Sequence, residues 1–222
     1  MFRTLIAAGL VSASLPAGAA ALTIDPFTTT SAVFANLPPL PTTDTTTIGI
    51  GERTLSIANT VDAGFVGGAI NEPNPGVFTF SGDADYTLAY GSSGSPLDLD
   101  LSGGIDFVLD FANLQGAVNT DLDITLNATS GLGTAGVQTG TAFQSLGLGA
   151  NGTTGSFSAG IAGLGIDPSD VDVISLSFDA PEAADVRTTG AFRATVVPVP
   201  ATLPLMLGGI AGLAWVARRR RG

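Results

Sequence analysis

The sequence predicts an all-β protein, a single antiparallel β-sandwich of jelly-roll-like type, on three observations. Apolar residues recur at every second position in a series of short segments between residues 22 and 196. Gly, Asn, Asp and Pro punctuate those segments at short intervals, as turns require. Away from the two ends, no segment keeps the i, i+3, i+4 apolar spacing of a helix. A period of two gives each strand one apolar and one wet face, and the apolar faces need a second sheet to cover them.

Taken in order, the chain opens with MFRTLIAAGLVSASLPAGAAALTIDP, in which Arg3 precedes an apolar stretch and small residues follow. This is the layout of a secretory signal peptide over residues 1–21, with cleavage after Ala19 or Ala21. Its apolar run is too short and interrupted for a membrane helix. Residues 24–47, rich in Thr and Pro, are expected to be extended and loosely packed. Strands are expected at 77–82 (VFTFSG), 85–91 (DYTLAYG), 97–103 (LDLDLSG), 105–111 (IDFVLDF) and 121–128 (DLDITLNA). Further strands are expected at 171–180 (VDVISLSFDA) and 186–196 (VRTTGAFRATV). About ten short strands in one exported domain, residues 22–195, fit a sandwich.

Between residues 131 and 165 Gly-Leu-Gly recurs at Gly131, Gly147 and Gly163, without alignment of the residues between. Strand–turn–strand spacing accounts for it better than a repeat does. The same stretch matches G-x-G-x-x-G at Gly131 and at Gly147, but neither match opens a helix, as a dinucleotide site requires.

Composition narrows the function. All 19 acidic residues lie between Asp25 and Asp185, the middle of the chain has only Arg53, Arg187 and Arg193 against them, and the net charge of the whole chain is −11. A domain so acidic excludes nucleic acid as a partner, because phosphate binding needs a basic face. The sequence holds no Cys, His or Lys. Serine therefore lacks its usual base, zinc lacks its favoured ligands, and carboxylate chemistry remains.

Two Asp pairs, Asp98 with Asp100 and Asp121 with Asp123, are spaced to project from one face of a strand. A glycan hydrolase would need such a pair across a cleft, lined here by Tyr86, Tyr90 or a nearby Phe. A solvated strand face is the simpler expectation, so the protein is expected to be non-catalytic. Calcium is the better use for clustered acids, since it takes six to eight oxygen ligands that turns can supply. The candidate metal ligands are Asp83 and Asp85 in SGDADY, and Asp167, Asp170 and Asp172 in GIDPSDVD; no other cofactor is expected.

The C-terminal end, residues 196–222, has three parts in order. Val197, Pro198, Val199, Pro200 and Ala201 form a proline motif. Residues 201–217 carry no charge, enough for a transmembrane helix of roughly 26 Å at ~1.5 Å per residue, near the lower limit for a bilayer core of about 30 Å. Arg218, Arg219, Arg220 and Arg221 follow, and arginines beside an apolar span stay on the cytoplasmic side. Both ends thus predict the domain outside.

This end resembles the VPLPA-CTERM sorting signal, a variant of the PEP-CTERM group of Gram-negative bacteria, with Val199 where the family has leucine. The resemblance covers about the last 26 residues. It implies a precursor held in the inner membrane by its helix and arginines, then processed at the proline motif by an exosortase. Such proteins reach the cell surface or extracellular matrix and associate with exopolysaccharide or biofilm. Two prolines spaced by one residue keep that substrate peptide extended. A permanent single-pass anchor is the alternative use of the same segment.

Overall fold

Alternation of residue type becomes alternation of burial. In ADYTLAY, Ala84, Tyr86, Leu88 and Tyr90 are buried, while Asp85, Thr87 and Ala89 are part-exposed. The computed structural model describes residues 21–35, 42–58, 66–71, 75–103 and 105–196. Ala21–Val197 form one compact unit. Ala19, the proline motif from Val197 to Ala201 and Arg218 to Arg221 lie outside the described residues. No helix among those described is long and apolar enough to cross a membrane.

The strands are β1 (Ala21–Asp25), β2 (Ser31–Ala35), β3 (Thr42–Ile48), β4 (Gly51–Ala58), β5 (Val66–Ile70), β6 (Phe78–Ser81) and β7 (Ala84–Tyr90). After them come β8 (Ile105–Gln115), β9 (Asp121–Ser130), β10 (Gln138–Gly147), β11 (Thr153–Gly160), β12 (Val171–Ala180), β13 (Asp185–Thr188) and β14 (Phe192–Val196). One sheet has the order β1-β14-β8-β13-β6-β5-β2, with β11 pairing β8 as well; the other runs β10-β9-β12-β7-β4-β3. Every strand pair is antiparallel. The expected antiparallel sandwich is the fold.

Inward side chains of both sheets make one core. Phe78, Phe80 and Phe178 meet with ring centroids 5.0 to 5.7 Å apart, and Tyr86 stands 4.7 Å from Phe80. Tyr90, Phe192 and Phe107 form a second stack, at 5.7 and 5.9 Å. Offset aromatic pairs of this kind add about 0.5–1.5 kcal/mol each beyond the area they bury. Tyr86 keeps its hydroxyl satisfied by donating to the Ser81 carbonyl. Both tyrosines are therefore core residues, not the lining of a groove.

The core also holds one ion pair. Arg53 of β4 and Asp25 of β1 are both fully buried and meet at 2.8 Å, linking the two sheets. Asp25 also accepts from the Phe27 N–H (2.8 Å) and the Tyr90 hydroxyl (3.1 Å). Arg53 donates further to the Thr29 carbonyl (2.7 Å) and Ser31 Oγ (2.9 Å).

Three sequence expectations need correction. Residues 97–103 do not form a strand. Their amides at Leu97, Leu99 and Leu101 bond to carbonyls of Asp172, Val171 and Pro168, but Asp98 adopts φ +50°, which breaks the extended run. The alternation there comes from Leu97 and Leu101 plugging the core from a loop. Residues 186–196 are two strands, divided at Gly190 with φ +72°. Residues 24–47 are not loosely packed where described: Ile24, Phe27 and Val33 are fully or almost fully buried.

The glycine-rich stretch behaves as the spacing suggests. The match at Gly131 lies in the turn between β9 and β10, and that at Gly147 starts on the last residue of β10 and runs into the turn before β11.

Candidate functional site

The outer face of the six-stranded sheet is built by strands whose inner faces are already committed to the core. Register aligns its outward side chains in rows. Asp179 of β12 lies opposite Asp85 of β7 on one side and opposite Asp123 of β9 on the other. Beyond these stand Ala58 of β4 and Ser145 of β10, and Ser145 donates its hydroxyl to Asp123. One row therefore carries three carboxylates on three neighbouring strands.

The next row is Thr43, Ser56, Thr87, Ser177, Thr125 and Phe143; the row after is Thr45, Thr54, Ala89, Ser175, Asn127 and Thr141. Neither contains a charge. Hydroxyls couple across the strands, Thr87 to Ser177 at 3.4 Å, Thr45 to Thr54 at 3.2 Å and Thr141 to Asn127 at 2.7 Å. Where the acidic row meets the first hydroxyl row there is a depression of about 340 Å³, lined by Asp85, Asp123, Asp179, Thr87, Thr125 and Ser177 among others. Phe143, 63% exposed, forms part of its wall. An apolar ring in solvent beside convergent hydrogen-bonding groups is the composition of a ligand site.

The electrostatics follow from the row. Asp179 is held above the ordinary carboxylate range, first by desolvation and then by the charges of Asp85, Asp123 and Asp83. Among the described arginines, Arg53 points into the core, and Arg187 and Arg193 belong to the other sheet. On that other sheet, Arg193 pairs with Asp110 at 2.6 Å, and Ser156 donates to the same carboxylate. Burial alone would raise Asp110, but these hydrogen bonds hold it below the ordinary range.

The candidate metal ligands separate. Asp170 and Asp172 do come together, joined by Asp98, with one carboxylate oxygen of each within 4.8 Å of the others. Asp172 is 2% exposed and accepts from the Leu132 N–H at 2.6 Å. Asp170 is raised by Asp172 above all, then by desolvation and by Asp98 and Asp167. These three could hold a cation. Asp167 instead accepts from the N–H (2.9 Å) and hydroxyl (2.7 Å) of Ser169, which keep it below the ordinary range. Asp83 sits in the β6–β7 turn, and Asp85 belongs to the acidic row. Of the Asp pairs, Asp123 joins that row beside Asp121 on the same strand face, whereas Asp98 and Asp100 are not on a strand.

Phe143 and Asp179 carry the site and were not singled out by sequence. A signal was present: D-x-T occurs in β7 (Asp85, Thr87) and β9 (Asp123, Thr125), and S-x-D in β12 between them (Ser177, Asp179). Antiparallel pairing inverts the middle motif and brings Asp beside Asp.

No family model matches the chain, and no curated protein matches it. Among solved structures, it is similar to the family 11 carbohydrate-binding module of the cellulosomal cellulase Lic26A-Cel5E of Clostridium thermocellum. That match has 10% identity and a TM-score of 0.41, covering 79% of this chain and 94% of that one. It is also similar to TmCBM61, solved in complex with β-1,4-galactotriose: 11% identity, TM-score 0.32, 76% and 88% covered. The agarase AgWH50C matches at 14% identity and a TM-score of 0.44, over 80% of this chain and 25% of the enzyme.

Proposed function

We propose that this is an exported, non-catalytic surface protein whose sandwich binds polysaccharide on the outer face of its six-stranded sheet. The observation that carries the proposal is the depression where the exposed Phe143 ring meets rows of carboxylates and hydroxyls. A sugar ring has apolar C–H faces and a rim of hydroxyls, so a flat ring beside hydrogen-bonding groups complements it. Binding is favoured over hydrolysis by geometry. A glycosidase sets its two carboxyls on either side of the scissile bond, whereas Asp85, Asp179 and Asp123 stand in one row on one open face.

Delivery follows from the two ends of the chain. The signal peptide exports the domain, and the tag from Val197 to Arg221 holds the precursor in the inner membrane until an exosortase-like enzyme removes it. The protein then joins the cell surface or extracellular matrix, beside the exopolysaccharide it binds.

Retardation of the exported protein in gels containing soluble polysaccharides tests the binding. Retardation by at least one polysaccharide, abolished by Phe143→Ala, is expected; mobility unchanged across neutral and charged polymers would reject the proposal. Intact mass of the protein recovered from the cell surface tests delivery. The sorting proposal requires a C-terminus near 197–201, and a chain ending at Gly222 in membranes alone would leave a permanent anchor.

A further inference from the structure

The six-stranded sheet ends in β10 on one side and β3 on the other. β10 lies beside β11 of the other sheet, and β3 beside β2. Among the described residues, β11 pairs only with β8 and β2 only with β5. Each therefore has one side whose N–H and C=O groups need a partner other than a strand. Such an edge is a template for a strand of another molecule, and proteins commonly blunt it with charge or proline. Neither β2 (SAVFA) nor β11 (TTGSFSAG) contains either.

A side chain meets the open edge at both seams. Gln144 of β10 lies opposite Ile124, a core residue, so this polar side chain is on the inward face of its strand. Its amide donates to the Ser156 carbonyl and accepts from the Ser158 N–H, each at 3.0 Å. One donor and one acceptor is the complement that a main-chain residue offers, so the Gln144 amide substitutes for one residue of a neighbouring strand. At the other seam, Asp44 of β3 lies opposite buried Leu55 and is likewise on the inward face. Its carboxylate accepts from the Ala32 N–H of β2 at 3.1 Å. Two unrelated residues, one on each outermost strand, thus make the same kind of contact across the sandwich.

We infer that Gln144 and Asp44 seal the two seams of the sandwich, occupying the open edges of β11 and β2 and so keeping them from pairing with a second copy of the chain. This role concerns self-association and is independent of the polysaccharide reading.

Amide hydrogen exchange of the exported protein, read residue by residue at dilution, tests the bonds. Sedimentation velocity over a range of concentrations tests what they prevent. In the parent, the Ser158 and Ala32 amides are expected to be protected. Gln144→Met is close in length but makes neither bond, and should speed exchange at Ser158 roughly tenfold. Phe157 and Ala159, the alternate residues that face β8, should stay protected. Asp44→Leu should do the same at Ala32, whereas Asp44→Asn, which retains an acceptor, should leave Ala32 protected. The double variant Gln144→Met/Asp44→Leu should form oligomers as concentration rises, while the parent's sedimentation stays unchanged. Circular dichroism and thermal melting establish that the variants are folded. Free exchange of Ser158 and Ala32 in the parent would overturn the inference without recourse to any variant. A folded double variant that loses both protections yet sediments like the parent at every concentration would overturn the sealing role.

Discussion

Asp179 shows how one residue reports the design of the face. Its carboxyl lies above the ordinary value of 3.8, through desolvation first and the Asp85, Asp123 and Asp83 charges next. A carboxyl raised in the folded state binds its proton more tightly there than in the unfolded chain. It therefore costs stability above the folded pKa, and the cost disappears as pH falls below 3.8. Asp179→Asn should raise the melting temperature at pH 7, with the gain shrinking towards pH 3; a gain independent of pH would show that charge is not its source. Arg53 is the opposite case, a charge the fold cannot spare. Replacing it with Met strands Asp25 in the core without its partner, and breaking a buried pair from one side typically costs about 3–5 kcal/mol. Urea denaturation of Arg53→Met should show a loss of that size, and a loss under about 1 kcal/mol would contradict the inter-sheet role.

At the scale of elements, what the sequence announced was burial alternation, and what it withheld was register. β6, β7, β8, β9 and β12 are visible as alternating runs because a core lies on one side and water on the other. LDLDLSG alternates equally well and is a loop: its leucines need the core, but the +50° φ of Asp98 breaks the extended run. β10 escaped notice for the converse reason. Its inward positions include Gly140, whose missing side chain leaves room for Leu164: an added Cβ would lie 2.6 Å from the Leu164 Cβ and against its carbonyl. Composition alone makes such a strand look like a turn. Gly140→Ala should cost about 1–3 kcal/mol by overpacking, measured by chemical denaturation, and a neutral result would mean that the 161–166 segment can move aside. The candidate site was hidden by the same gap. D-x-T and S-x-D are readable in the sequence, but only the pairing of β7, β12 and β9 turns them into one acidic row. The carboxylates of Asp170 and Asp172 were legible as neighbours, whereas their third partner, Asp98, is contributed by a distant loop.

Across the whole molecule, the two sheets play different parts. The eight-stranded sheet contains the pairing of β1 with β14, in which Ala21 lies opposite Thr195. The first and last strands of the domain are thus side by side, and Asp25 of β1 is fastened to the opposite sheet through Arg53. The six-stranded sheet presents the rows of hydroxyls and carboxylates with Phe143 at one end. One sheet anchors the ends of the fold, and the outer face of the other is the proposed binding face. Amide chemical-shift mapping of the exported domain during titration with soluble β-glucan tests this division most directly. The account predicts shifts concentrated at Thr87, Thr125, Phe143, Ser177 and Asp179. Shifts confined to the outer face of the other sheet, around Asp110, Ser156 and Arg193, would contradict it.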